Sequence, residues 1–208
     1  MDRPSRHRIH YGLCCSYITI LRQSPDRRGT EIMYSINFES KLVEALNRVA
    51  SEYSWDTEWP VDESSRVDVV GLLGEVPKVL VEVELKKDNP VENVVKVWRW
   101  AKATKHTEPI LFIQAFSALY ANPENKKARP PKEKQFVRSQ FIGERMAEDR
   151  PLQIAYKQMP ICSTTRGGVR IPFRPRLRRG FVTKERGTSM HRAAKELADD
   201  INSLLRLK

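Results

Sequence analysis

Asp68, Glu82, Glu84 and Lys86 are residues whose types and spacing can do chemistry. Side chains alternate faces along a strand. In Val79–Lys86 (VLVEVELK), Glu82, Glu84 and Lys86 therefore point one way and Val79, Val81, Val83 and Leu85 the other. The preceding apolar segment, Arg66–Leu73 (RVDVVGLL), sets Asp68 among Val67, Val69 and Val70. An unpaired carboxylate in an apolar interior costs on the order of several kcal/mol, so such a cluster persists only with a compensating cation or with water. A half-exposed antiparallel strand with one wet face gives the same alternation. Three features favour a covered cluster. A capped helix and a further strand follow, which makes Val79–Lys86 central. Asp68 lies within a strand rather than at a turn. Glu39, in the first turn of the first expected helix, is another acid within reach.

The elements that must position these groups follow from pattern. Asn37 can cap a helix whose apolar residues Phe38, Leu42, Leu46, Val49 and Tyr53 recur at helical spacing. Trp55–Trp59 reads as a short strand ended by Pro60, and a polar turn leads into Arg66–Leu73. After Gly74–Pro77 comes Val79–Lys86. Asn89, Pro90 and Glu92 then announce a helix with Val91, Val94, Val95, Trp98 and Ala101 on one face. Pro109–Ser117 is an apolar strand, Pro131–Glu148 a helix through Phe136, Ile142 and Met146, and Leu152–Gln158 a last strand. Helix, three strands, helix, strand, helix, strand predicts an α/β layer with a mixed central sheet.

A Glu in an early helix, an Asp in a strand and Glu-x-Lys on the next strand resemble the PD-(D/E)XK nuclease superfamily. The likeness covers residues 37–158. "FESKLVEAL" is similar to the first helix of archaeal Holliday-junction resolvases, and "RVDVVG" with "VLVEVELK" to their two catalytic strands. Val67 stands where the family has Pro. The resemblance implies a restriction-endonuclease-like fold (αβββαβ), here with an extra helix and strand and a basic C-terminal extension. It also implies hydrolysis of DNA phosphodiester bonds with Mg²⁺, or Mn²⁺ in its place. By resemblance Asp68, Glu84 and the Leu85 carbonyl hold the metal. Lys86 acts on the attacking water, and Glu39 acts through a metal-bound water or a second metal. Glu82-Val83-Glu84 fits the pattern too, with Glu in place of the usual Lys. Glu82 is then a primary ligand instead of an accessory acid, and Lys86 a DNA contact.

The same fold without activity would be a DNA- or protein-binding module, and a pure assembly module would have affinity for neither metal nor DNA. On the second helix Asn93, Lys96 and Trp100 fall opposite Val91, Val94 and Trp98. In the superfamily this helix often lends polar residues to the site, and Lys96 is a candidate DNA contact. Solvation of Lys96 and packing of Trp100 is the plainer reading.

The chain has 208 residues and a formal charge of +11. Residues 1–32 hold six basic and three acidic groups, and 163–208 twelve and four, while 33–162 hold nineteen of each. Residues 1–32 read as a flexible basic leader, 33–162 as the core domain, and 163–208 as a basic arm with an amphipathic helix. Within Arg166–Arg186, Arg166, Arg170, Arg174, Arg176, Arg178 and Arg179, interleaved with Phe173 and Phe181, suit phosphate contact and base stacking. Thr188 can cap a last helix through Met190, Ala194, Leu197, Ile201 and Leu204, docked on the domain or pairing two copies as a homodimer. Three cysteines, Cys14, Cys15 and Cys162, are too few and too oddly placed for a disulfide framework and point to a reducing, cytoplasmic setting, with Cys162 inert. No apolar run long enough to span a membrane occurs, and no Gly-rich phosphate loop suggests an NTPase. The four histidines lack ligand partners nearby in sequence.

Overall fold

β-branched residues fit a pleated surface covered on both sides, and Val76–Glu84 forms the central strand of a five-stranded sheet. The computed structural model describes residues 27–85, 89–121, 131–174 and 184–207. In chain order they form α1 (Arg27–Val49), β1 (Ser54–Pro60), β2 (Arg66–Leu73), β3 (Val76–Glu84), α2 (Pro90–Ala103), β4 (Ile110–Phe116) and the short α3 (Ala118–Ala121). Then come α4 (Pro131–Ala147), β5 (Ile154–Pro160), the hairpin β6 (Cys162–Thr164) and β7 (Arg170–Pro172), and α5 (Lys184–Leu205). The main sheet has the order β1-β2-β3-β4-β5. β1, β2 and β3 are antiparallel neighbours, while β3–β4 and β4–β5 are parallel. Parallel neighbours need a crossover, and α2 and α4 lie in the two. The fold is therefore α/β with a mixed sheet flanked by helices.

The pleat of β3 divides the core. Val79, Val81 and Val83 pack with Phe38, Leu42 and Leu46 of α1 and Ala194, Leu197 and Ile201 of α5. Leu80 faces the other layer with Phe112 of β4, Val94 and Val97 of α2 and Met146 of α4. No helix among the described residues is long and apolar enough to cross a membrane.

Several expectations need correction. The first helix starts at Arg27, inside the segment read as a leader, so Asn37 is an interior residue and not its cap. A single Asn costs a helix only a few tenths of a kcal/mol relative to its neighbours, about what continuation on both sides can offset. Residues 1–26 lie outside the described residues. The segment 163–208 is no appendage. Its helix packs along α1 in the same apolar cluster, so the face that suggested a homodimer is covered within the chain. Phe173, expected to stack on bases, is buried, 5.8 Å from the Phe38 ring. Phe181 and the Thr188 side chain lie outside the description.

Candidate metal centre and its buried acids

The β2–β3 ladder runs from Leu73↔Val76 to Val69↔Val81. One residue further, Asp68 turns its carboxylate to the next strand, and Oδ2 accepts the Val83 N–H at 2.8 Å. A side chain thus takes the place of a ladder carbonyl where the strands part. On the other side of β2, Glu58 falls between the pairs Thr57↔Val69 and Trp59↔Val67, opposite Asp68. Its φ is +58°, a left-handed conformation in the middle of a strand. Such a residue stores on the order of 1 kcal/mol or more of strain, and such strain concentrates at functional sites. The Arg66 guanidinium donates to the Glu58 carbonyl at 3.2 Å across the kink.

The kink brings three acids together. One carboxylate oxygen from each of Glu39, Glu58 and Asp68 lies within 4.8 Å of the other two. Mg²⁺ takes oxygen ligands at about 2.0–2.1 Å, so ligands on opposite sides of an octahedron stand about 4 Å apart. The three acids are spaced to close on one ion with small side-chain movement. Their donors are all hard oxygens, which suits Mg²⁺ or Mn²⁺ and not a thiolate- or imidazole-seeking metal. Glu39 and Asp68 are buried and Glu58 is exposed, so the cluster opens to solvent on the β1 side.

Glu82 and Glu84 are both fully buried, which excludes a wet sheet face. Continuing the β2–β3 register by one residue sets Glu82, not Glu84, across from Asp68. Glu82 receives the Lys96 ammonium at 2.7 Å, and that ammonium also donates to the Arg66 carbonyl. Lys96 is therefore turned inward, with 12% of its side chain exposed, and is neither a solvated residue nor an open phosphate contact. Glu84 Oε1 accepts from Asn93 Nδ2 at 2.6 Å and from Gln114 Nε2 at 3.2 Å.

Gln114 is held from behind. Its NH₂ also donates to the Pro90 carbonyl at 2.8 Å, and its Oε1 accepts from the Tyr156 hydroxyl at 2.6 Å. A carbonyl can only accept, so the amide has one possible orientation. Burial pushes the Tyr156 pKa well above its ordinary value of 10, which keeps the hydroxyl a donor. Gly143 on α4 makes room for that ring: a Cβ there would lie 2.2 Å from it.

Of the residues expected in the site, Glu39 and Asp68 converge, whereas Glu82 and Glu84 share the pleat of Leu80 on β3 and turn to Lys96 and Asn93 of α2, outside that group. Lys86 lies outside the described residues. The Leu85 carbonyl accepts from Ser117 Oγ at 2.8 Å. Glu58 was missed, because nothing in WDTEWP announces a left-handed kink. Counting residues back across the turn from Asp68 was the available signal. Gln114 was missed as one polar residue in an apolar strand, which was itself the signal.

Of the arginines, Arg166 and Arg174 are exposed. Arg170 is exposed too, but it is paired with Asp200 and lies 3.9 Å from Glu196, both on α5, so it braces the hairpin. Arg176, Arg178 and Arg179 lie outside the described residues. Burial pushes the Cys162 thiol up, away from the reactive thiolate. Trp100 packs against the α2–α4 core, 5.3 Å from the His106 ring. Comparison with protein-family models, curated proteins and solved structures found no match to this chain.

Proposed function

We propose that this chain is a divalent-metal-dependent endonuclease that hydrolyses DNA phosphodiester bonds on a restriction-endonuclease-like fold. The observation that carries the reading is the convergence of Glu39, Glu58 and Asp68 at the point where β2 parts from β3. Acids facing one another across neighbouring strands repel, and the left-handed Glu58 adds strain. A divalent cation offsets both. The order α1–β1–β2–β3–α2–β4, with β1–β3 antiparallel and β4 parallel to β3, is the order the resemblance implies. Helix α4 and strand β5 are the extra helix and strand.

Asp68, Glu39 and Glu58 would hold the ion, which supplies a Lewis acid on the phosphate and an acidified water. The chain's own residues do the rest. Asp68 ties the diverging strands together through the Val83 N–H, which fixes its own carboxylate. Lys96 balances Glu82, and among the described residues it is the ammonium in contact with the acids of β3. Asn93 and Gln114 aim Glu84. Glu82 stands across from Asp68 but is ion-paired with Lys96 and is not one of the three acids that would hold the ion. Arg166 and Arg174 are exposed and available to a DNA backbone.

The test is incubation of varied DNAs with the full chain in Mg²⁺ or EDTA, alongside Asp68→Asn and Glu58→Gln. Metal-dependent cleavage lost in both variants supports the reading. DNA binding without cleavage in any metal overturns it in favour of a binding module on the same fold.

A further inference from the structure

The N-terminus of α2 and the outer face of α4 enclose an open groove of about 550 Å³. Its lining includes Asn89, Val91, Gln135, Val137, Arg138 and Phe141, and among the described residues contains no acid. Val137 and Phe141 stand one helical turn apart and are 57% and 55% exposed, unusual for two large apolar side chains on one face. The Arg145 guanidinium lies 5.4 Å from the centre of the Phe141 ring. Arg138 forms no ion pair among the described residues, so its charge is available to a ligand. The groove also adjoins the buried acids. Asn89 precedes Pro90, whose carbonyl shares the Gln114 NH₂ with Glu84, so two hydrogen bonds separate the groove's end from that carboxylate.

We infer that this groove receives an unpaired nucleobase of a DNA strand that passes the neighbouring site. The inference rests on the nuclease reading of that site and adds a substrate class to it: DNA with an unstacked nucleotide beside the cut. An exposed ring offers a stacking platform to any base. The Gln135 amide and the side-chain carbonyl of Asn89, whose NH₂ donates to Glu92 at 2.6 Å, can hydrogen-bond base edges, and an unpaired guanidinium suits the phosphate that follows. A base inside a duplex already has both faces covered by its neighbours, so the groove selects unpaired nucleotides. An apolar protein segment would bury Arg138 without a partner, which is unfavourable. The volume lies within the range of about 300–1,000 Å³ typical of small-ligand sites.

The experiment measures anisotropy of a fluorescein-labelled oligothymidylate, and of a labelled blunt duplex, with the full chain in EDTA, so that no cleavage is required. Stacking of one base is worth a factor of roughly 5 to 150 in affinity. Phe141→Ala should therefore weaken oligothymidylate binding at least about fivefold and leave the duplex unaffected, while Phe141→Trp binds as wild type or tighter. Arg138→Ala should lower the salt slope on the single strand by about 0.7. Both side chains are exposed, so melting temperatures should stay at the wild-type value. Unchanged oligothymidylate affinity in Phe141→Ala overturns the inference, as does an equal loss on single strand and duplex. A shift from dimer to monomer in sedimentation, with oligonucleotide affinity intact, overturns it and assigns the groove to a second copy of the chain. Cleavage is read separately: loss of stacking in a protein that never cuts leaves the groove standing and removes the nuclease reading, and the converse result does the reverse.

Discussion

Replacing Lys96 with Met tests whether the acids of β3 are truly buried charges. Glu82 is fully buried and the Lys96 side chain is 12% exposed, with 2.7 Å between ammonium and carboxylate. At an effective dielectric constant of about 20, that separation corresponds to a gross attraction of about 6 kcal/mol. Desolvation of both ions offsets much of this in the native protein. In Lys96→Met, however, the ammonium is gone and the carboxylate stays where it was. Breaking one side of a buried pair costs about 3–5 kcal/mol, against about 0–1 kcal/mol for a pair in solvent. For a chain of this size the melting temperature should fall by about 6–20 °C. Urea denaturation at neutral pH reads the free energy directly. The double variant Lys96→Met/Glu82→Gln carries no buried charge at this pair, so it should recover a good part of the loss. A single variant less than about 1 kcal/mol below wild type would refute the reasoning. So would a double variant no more stable than the single.

Two further outcomes follow from the packing and the pKa shifts. Gly143→Ala gains up to about 1 kcal/mol of helix propensity, but the new methyl would lie 2.2 Å from a ring anchored by its hydroxyl to Gln114. Overpacking of about 1–3 kcal/mol wins, so chemical denaturation should show a net loss, and a more stable variant would contradict the clash. Burial lowers the His106 pKa below its ordinary 6.5. The unfolded chain therefore takes up a proton first as pH falls, and this histidine's contribution to stability, whole above about 6.5, declines as pH falls toward the folded pKa. His106→Phe, which keeps the ring beside Trp100, should flatten the dependence of the urea midpoint between about pH 7.5 and 5.5, and an unchanged slope would remove His106 as its source.

The strands of this sheet were legible because their signals are local. Arg66–Leu73 is a β-branched run between a polar turn and Gly74, whose left-handed φ of +64° closes the hairpin, and β2 has the predicted limits. The helix faces were less legible for a physical reason. Apolar periodicity assumes that polar side chains turn outward, yet in α2 the buried positions are Pro90, Asn93, Val94, Val97 and Ala101, with Val95 37% exposed. Asn93 and Lys96 turn inward because buried carboxylates on β3 need donors more than the helix needs an uninterrupted apolar stripe. The arm misled in the same way. Phe173, set in a basic run, reads as a surface ring, but Ala118 donates to its carbonyl and Phe173 to that of Ile161, which pins it over α1. Asp68, Glu82 and Glu84 were legible as charges where an apolar run should have none. Glu58 was not, since its place beside Asp68 depends on one backbone torsion.

The central claim, that Glu39, Glu58 and Asp68 meet on one divalent cation, is tested most directly by Mn²⁺ titration of the full chain, followed by electron paramagnetic resonance. The account predicts a single tight site in the wild-type protein, weakened at least about tenfold in Glu58→Gln and lost in Asp68→Asn, with both variants still folded. Equal Mn²⁺ affinity in all three proteins, or no site in the wild type, would contradict it.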